Sequence, residues 1–226
     1  MIYGLVGLLI LFLITAPFLW VKYVLWRHGD EIQDMPGTGA ELANHLVDRF
    51  QLSGVTVVEG RADENYYSPN EKTVCLETKF YNGKSLSAVA VAAHEVGHAI
   101  QFIREEQVSQ LRNKYLPIAS IINKTGITIL MAVPLVAGLL RFPSIGISMA
   151  AIGVVTMLSS VFMYVAILPE EYDASFKKAL PILAEGYIPN EHMKAIRQVL
   201  KACALTYVAG ALIDVLRLWR WVTLLR

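Results

Sequence analysis

At 226 residues the chain has room for one or two domains, and 55% of its residues are apolar while only 17% are charged, against roughly 25% in an average soluble domain. That balance excludes a simple soluble globular protein. A net charge of +1, with no stripe of Arg and Lys interleaved with aromatics, excludes a nucleic-acid partner. Two cysteines far apart in the chain, Cys75 and Cys203, exclude a disulfide framework or a zinc ribbon, so both are read as reduced, buried thiols.

Residues 1–26 hold an uncharged apolar run, Ile2 to Val21, followed by Lys22 and Arg27. About 20 apolar residues span the hydrocarbon core of a bilayer. The absence of a basic residue before Lys22 argues against a secretory signal, so a retained transmembrane helix is expected. Residues 27–115 read as a small α+β domain. Pro36-Gly37-Thr38-Gly39 is a turn, Thr38 caps the helix that follows with Glu41 at the capping-box position, and Leu42, Leu46, Val47 and Phe50 give that helix an apolar face. Val55 to Val58 and Thr73 to Leu76 read as strands, Asp63 to Asn70 as a polar loop, and Asn82-Gly83 as a turn before a helix from near Ser85 to about Glu106.

Residues 116–168 are expected to form an antiparallel transmembrane hairpin divided at Arg141-Phe142-Pro143. Its first half carries Lys124, which snorkels to the interface or faces a polar cavity; its second, Ile145 to Leu168, has no charge. Residues 169–201 are polar. In residues 202–226 the clean apolar stretch, Ala202 to Ile213, is short for a span, but apolar character resumes after Asp214 and Trp219 and Trp221 suit an interfacial belt. This last helix is therefore expected to cross the membrane or to lie in its interface. The fold class is a mainly α membrane protein of three or four transmembrane helices. Lys22, Arg27, Arg112, Lys114, Lys177 and Lys178 flank the spans on one side, which the positive-inside rule makes cytoplasmic.

Residues 94–98 read His-Glu-Val-Gly-His. Positions i and i+4 lie one above the other on a helix, so His94 and His98 can share one Zn2+. Glu95, about a quarter-turn round, is poorly placed as a ligand but well placed as general base to a water on the metal. The small apolar run Ala88 to Ala93 predicts a buried helix, and Gly97, a poor helix former, predicts close approach of another backbone or of substrate. A third ligand is needed, and no third His follows within about ten residues, which excludes the metzincin spacing. Glu105 and Glu106 lie too far along the same helix. The cluster Pro169-Glu170-Glu171-Tyr172-Asp173 emerges from an uncharged span, and its carboxylates are the candidates; the bland alternative is a hydrated helix start with acids at the positive end of the dipole. His28 and His45 read as surface residues. His192 reads as the first turn of a surface helix and Tyr207 as a core tyrosine, and each is also a candidate to stabilise a transition state.

Together with these residues, Gly37-Thr38-Gly39-Ala40-Glu41, Tyr81-Asn82-Gly83-Lys84-Ser85-Leu86, Ala92 to Ala99, Leu168-Pro169-Glu170-Glu171-Tyr172-Asp173-Ala174-Ser175 and Ala204-Leu205-Thr206-Tyr207-Val208 give a chain that resembles the YugP-like neutral zinc metallopeptidases of bacterial membranes. That family is in turn similar to the HtpX-like membrane proteases of quality control. The resemblance implies a zincin-like (gluzincin) catalytic domain and selects Glu171 over Glu170, because the HtpX-like third ligand is a Glu followed by an aromatic residue and then, one residue on, by Ala. It also implies a carboxylate that orients a ligating histidine. Ser175 stands in its place here, so either Ser175 or Asp173 is expected in that role.

The expected function is membrane-embedded hydrolysis of peptide bonds in a protein or peptide substrate, in the bacterial cytoplasmic membrane, with the strand at Thr73 to Leu76 offering an edge to which substrate adds. Two alternatives are a zinc-dependent membrane hydrolase of a non-peptide substrate and a non-catalytic membrane scaffold. The sequence names no partner protein and no oligomeric state.

Overall fold

Long apolar stretches broken by few charges favour helix, and the computed structural model, which describes residues 2–140 and 143–224, is mostly helical. Arg141 and Phe142, at the expected break of the hairpin, lie outside the described residues, as do the side chains of Trp219 and Trp221. Two compact units are present, and they are described separately.

One unit comprises Leu19–Gln110 and Leu168–Thr206. Its first helix, α2 (Gly39–Arg49), starts as its sequence predicts: the Thr38 hydroxyl accepts from Glu41 N at 3.1 Å and the Glu41 carboxylate accepts from Thr38 N at 2.7 Å. Leu42 and Leu46 on its inner face are buried. The strands β1 (Thr56–Gly60), β2 (Tyr66–Ser68) and β3 (Thr73–Glu77) form a sheet in the order β1-β3-β2, with β1 parallel and β2 antiparallel to β3. Two expectations are corrected here. The polar stretch Asp63 to Asn70 is not all loop, because Tyr66–Ser68 pairs with Thr73–Cys75 and turns the Tyr67 ring inward. The strand at Thr73 to Leu76 is the central one, so both of its edges are already hydrogen-bonded and it offers none to a substrate.

A short helix, α3 (Thr78–Tyr81), leads to α4 (Leu86–Ile103), capped by the Ser85 hydroxyl, which accepts from Ala88 N at 3.1 Å. Every residue of α4 from Leu86 to Gln101 is buried. Its alanines leave room for neighbours on all sides, as in a helix enclosed by protein. α2 packs on one side of it. The turns ahead of α2 and α4 dock closely: Gly39 N donates to Gly83 O at 3.1 Å, and a Cβ on Gly39 would run into the Phe80 carbonyl. On another side of α4 lies α7 (Leu168–Tyr172), followed without a break by a π-helical segment, Asp173–Ala179, and α8 (Leu180–Ala184).

The other unit comprises Met1–Phe18, Leu111–Ile167 and Tyr207–Arg226. It holds most of α1 (Ile2–Arg27), α5 (Gln110–Leu140) and α6 (Pro143–Val165), and the end of α9 (Met193–Leu224). α5 and α6 approach closely at Gly126 and Gly153, where a Cβ on Gly126 would come within 2.9 Å of the Gly153 carbonyl; small residues at such a crossing are usual between membrane helices. Four helical stretches among the described residues are long and apolar enough to cross a membrane: Leu86–Ile103, Gln107–Val136, Ser144–Ala184 and Asn190–Ile213. The first is α4, and 89% of it is buried in protein, whereas in an 18-residue apolar stretch of the second and of the third only 17% and 22% of the residues are. Exposed Ile121, Met131, Leu135, Ile147, Val155 and Phe162 cover those two, and exposed Leu8, Leu9, Phe12 and Leu13 cover α1. Such bands mark a membrane protein. The helix expected over residues 202–226 begins earlier, at Met193, as part of one 32-residue helix, about 48 Å at 1.5 Å per residue.

Leu46 is almost fully buried on the inner face of α2. Leu46→Ala is expected to destabilise this unit by about 2–5 kcal/mol, read as a lower denaturant midpoint for the full chain in detergent micelles.

Candidate metal centre

The i, i+4 spacing on α4 stacks His94 and His98, with ring centroids 4.7 Å apart and planes nearly perpendicular. Glu171, at the end of α7, reaches between them. Its Oε2 lies 3.3 Å from His94 Nε2 and 3.2 Å from His98 Nε2. These three residues, all buried, form a group able to hold a metal ion. Glu171 is 1% exposed and Glu170 0%, so the acidic cluster is not a hydrated helix start.

Gly97 makes this meeting possible. A Cβ there would sit 2.8 Å from the Ala174 carbonyl oxygen and 3.3 Å from its carbon. The close approach foreseen at Gly97 is thus to the backbone of the segment that carries Glu171. That segment turns as a π-helix from Asp173 to Ala179, a rare geometry frequent at functional sites.

The outer nitrogens of both rings are engaged. Ser175 Oγ donates to Leu200 O at 3.0 Å and lies 2.9 Å from His94 Nδ1; with its own hydrogen so used, it accepts from Nδ1. Gln101 Nε2 donates to Glu170 O at 3.0 Å and to Asp173 Oδ2 at 2.9 Å, which orients the amide. Its Oε1, 2.9 Å from His98 Nδ1, can only accept. Both neutral rings therefore carry hydrogen on Nδ1 and a lone pair on Nε2. Of the two candidates for a histidine partner, Ser175 touches His94 directly, whereas Asp173 touches Gln101. Gln101 was not singled out in the sequence. Its signal is the three-residue step from His98, which places it on the same face one turn on.

With both rings neutral, two lone pairs and a carboxylate oxygen face one another, an arrangement that favours a cation between them. The fit to zinc can be tested by distance. In a tetrahedron the ligand–ligand edge is roughly 1.6 times the bond length, so bonds of about 2.0–2.1 Å give edges of about 3.3–3.4 Å. The 3.2 and 3.3 Å separations match.

Burial works against the Asp173 charge, but Gln101 and Lys178 outweigh it and hold the carboxyl below its ordinary value. Burial likewise opposes the Lys178 charge, and Glu106 and Asp173 push it above its ordinary value instead. Glu95 is buried beside His94 on α4. Cys75 and Cys203 are free and buried.

The remaining candidates stand elsewhere. His28 Nε2 lies 3.1 Å from Gln198 Oε1, and His45 is exposed. His192 is half-buried in a turn before α9, 3.5 Å from Glu191. Tyr207 belongs to the other unit, where it stacks on Tyr164 at 6.4 Å and carries the Arg112 guanidinium 5.3 Å from its ring centre.

The chain belongs to the family described as putative neutral zinc metallopeptidase, whose model matches residues 2–226. Among known proteins it is similar to the putative membrane protease YugP of Bacillus subtilis (strain 168), with 33% identity over 186 residues, covering 82% of this chain and 79% of that protein. No solved structure matches it.

Alanine in place of Gly97 would favour an isolated helix by about 1 kcal/mol. Here the contact with Ala174 reverses the sign: Gly97→Ala is expected to destabilise the protein by about 1–3 kcal/mol and to lower its zinc content, measured by thermal unfolding and metal analysis.

Proposed function

We propose that the protein is a membrane-embedded zinc metalloprotease whose metal is held by His94, His98 and Glu171. The observation that carries this reading is that Glu171 Oε2 lies at tetrahedral-edge distances from both His94 Nε2 and His98 Nε2, within one buried group of three potential ligands whose rings are held from behind by Ser175 and Gln101. Three protein ligands leave one position open, the pattern of a catalytic rather than a structural zinc. Zinc, when bound, supplies a Lewis acid that acidifies water and polarises a carbonyl.

Glu95 is assigned as the general base. It follows His94 by one residue on the buried helix, about 100° round the axis from His94 and about 60° from His98, which suits it to a water beside the ligands rather than to a ligand's place. It takes a proton from the attacking water and passes it to the leaving amine. His94 and His98 need not move in this cycle, because Ser175 and Gln101 hold their rings. A peptide substrate is favoured by the membership of the family and by the sheet. β1 and β2, outermost among the described strands, keep edges to which an extended chain can add.

Glu95→Gln is expected to retain one zinc per chain while casein hydrolysis falls about 10²–10⁴-fold. His98→Ala is expected to lose the metal as well. Stoichiometric zinc in His98→Ala would refute the ligand set, and undiminished proteolysis in Glu95→Gln would refute the mechanism.

The proposed location of this unit is the cytoplasmic side of the bacterial inner membrane, supported by the basic residues that flank the apolar helices, among them Lys22, Arg27, Lys114 and Lys177. Position 60 is unsuited to a reporter cysteine, because a side chain on Gly60 would collide with Cys75 Sγ. Ala62 is exposed. Cys75 is a quiet background, since burial shields its thiol and pushes its pKa up. With Cys203→Ser, Ala62→Cys is expected to resist a membrane-impermeant maleimide in intact cells and to react after permeabilisation. Reaction in intact cells would place the site on the outer face.

A further inference from the structure

His98 does not end its hydrogen-bond chain at Gln101. The amide of Gln101 donates to Asp173 Oδ2 at 2.9 Å. The same oxygen lies 3.2 Å from Lys178 Nζ, and Lys178 Nζ lies 2.9 Å from Glu106 Oε2. Lys177 adds a second, outer contact to Asp173 at 3.4 Å. Glu106 follows the end of α4 by three residues, and Asp173 and Lys178 lie on the π-helical segment. The Lys178–Glu106 pair thus ties the turn after α4 to the π-helical segment that continues from α7, beyond the ligands themselves.

We propose that Gln101 and Lys178 are positioning residues of the zinc centre, acting through a chain that runs Lys178–Asp173–Gln101–His98. The proposal rests on the zinc reading given above. Each link has a fixed direction. Lys178 has only donors, so Asp173 must accept from it. Gln101 Nε2 can only donate, so Asp173 Oδ2 must accept from it as well. Gln101 is then obliged to present its carbonyl to His98 Nδ1, which leaves the lone pair of His98 on Nε2, facing Glu171. A histidine free to turn or to change tautomer would spend part of its time with hydrogen on Nε2, where no metal can bind. The usual orienting partner of a metal-bound histidine is a carboxylate or a backbone carbonyl. Here a neutral amide stands at that point, and the carboxylate with its counter-charge is set one step further out. Lys178 is thus tied to metal affinity although it touches no ligand.

The test uses full-length protein in detergent, with zinc affinity measured by chelator competition and thermal unfolding of the metal-free form measured in parallel. Gln101→Leu, which keeps bulk but removes the acceptor, is expected to weaken zinc binding about 10–100-fold. Lys178→Met is expected to weaken it less, about 3–10-fold, as an outer partner one step further from the ligand, and Lys178→Arg to restore it. In none of the variants should the metal-free melting temperature fall in proportion to the lost affinity. Wild-type affinity in Gln101→Leu or in Lys178→Met would overturn the chain. So would a loss of affinity that merely tracks unfolding of the metal-free form, or a failure of Lys178→Arg to restore binding. Failure of the wild-type protein itself to bind zinc would instead overturn the metal assignment on which the proposal stands.

Discussion

Where α4 passes Ala174, no side chain separates the two backbones. In the proposed site the i, i+4 histidines supply only two ligands, and the third comes from chain more than seventy residues away. A carboxylate on a short side chain can close the gap only if the segment that bears it lies against α4. Gly97 permits that, being set between the two histidines in sequence and against the Ala174 carbonyl in space. The helix propensity lost at Gly97, about 1 kcal/mol, is small beside what the contact secures: the distances from Glu171 to both rings, from Ser175 to the His94 ring and from Asp173 to Gln101 behind the His98 ring depend on the same approach.

The electrostatics follow from that proximity. Glu170, Glu171 and Asp173 are all buried within four residues, and burying acidic groups is costly unless each finds a counter-charge or donors. Asp173 has Gln101 and two lysines. Glu170 lends its carbonyl to Gln101, and its carboxylate lies 3.9 Å from His98 Nδ1. Glu171 faces two imidazole nitrogens that keep their lone pairs inward. Of the three acids it is the one whose surroundings make sense around a cation.

Composition treats α4 and the helices of the other unit alike, since each is long and apolar enough for a membrane. Their environments separate them. α4 is enclosed by α2, the sheet, α7 and the π-helical segment, and its small side chains let those neighbours close in. α5 and α6 instead turn Ile, Leu, Met and Phe outward. A run of alanines and valines is equally suited to either setting, so window hydropathy cannot distinguish a helix buried in protein from a span.

What the sequence by itself determined was local. The cap at Thr38 and Glu41, the start of α4 at Ser85, the stacking of His94 on His98 and the need for a close neighbour at Gly97 all follow from periodicities and conformational preferences acting over a few residues. The tertiary structure decided whatever depends on chain segments far apart. β2 was hidden in a polar stretch because Tyr66–Ser68 is too short to show an alternating pattern, and only pairing with β3 makes it a strand. The order of the sheet, which denies β3 a free edge, is a property of three strands together. The choice between Ser175 and Asp173 dissolved because each stands behind a different histidine, one directly and one through Gln101. No spacing along the chain encodes that division, since it arises only where a π-helical turn presents both residues to one face of α4.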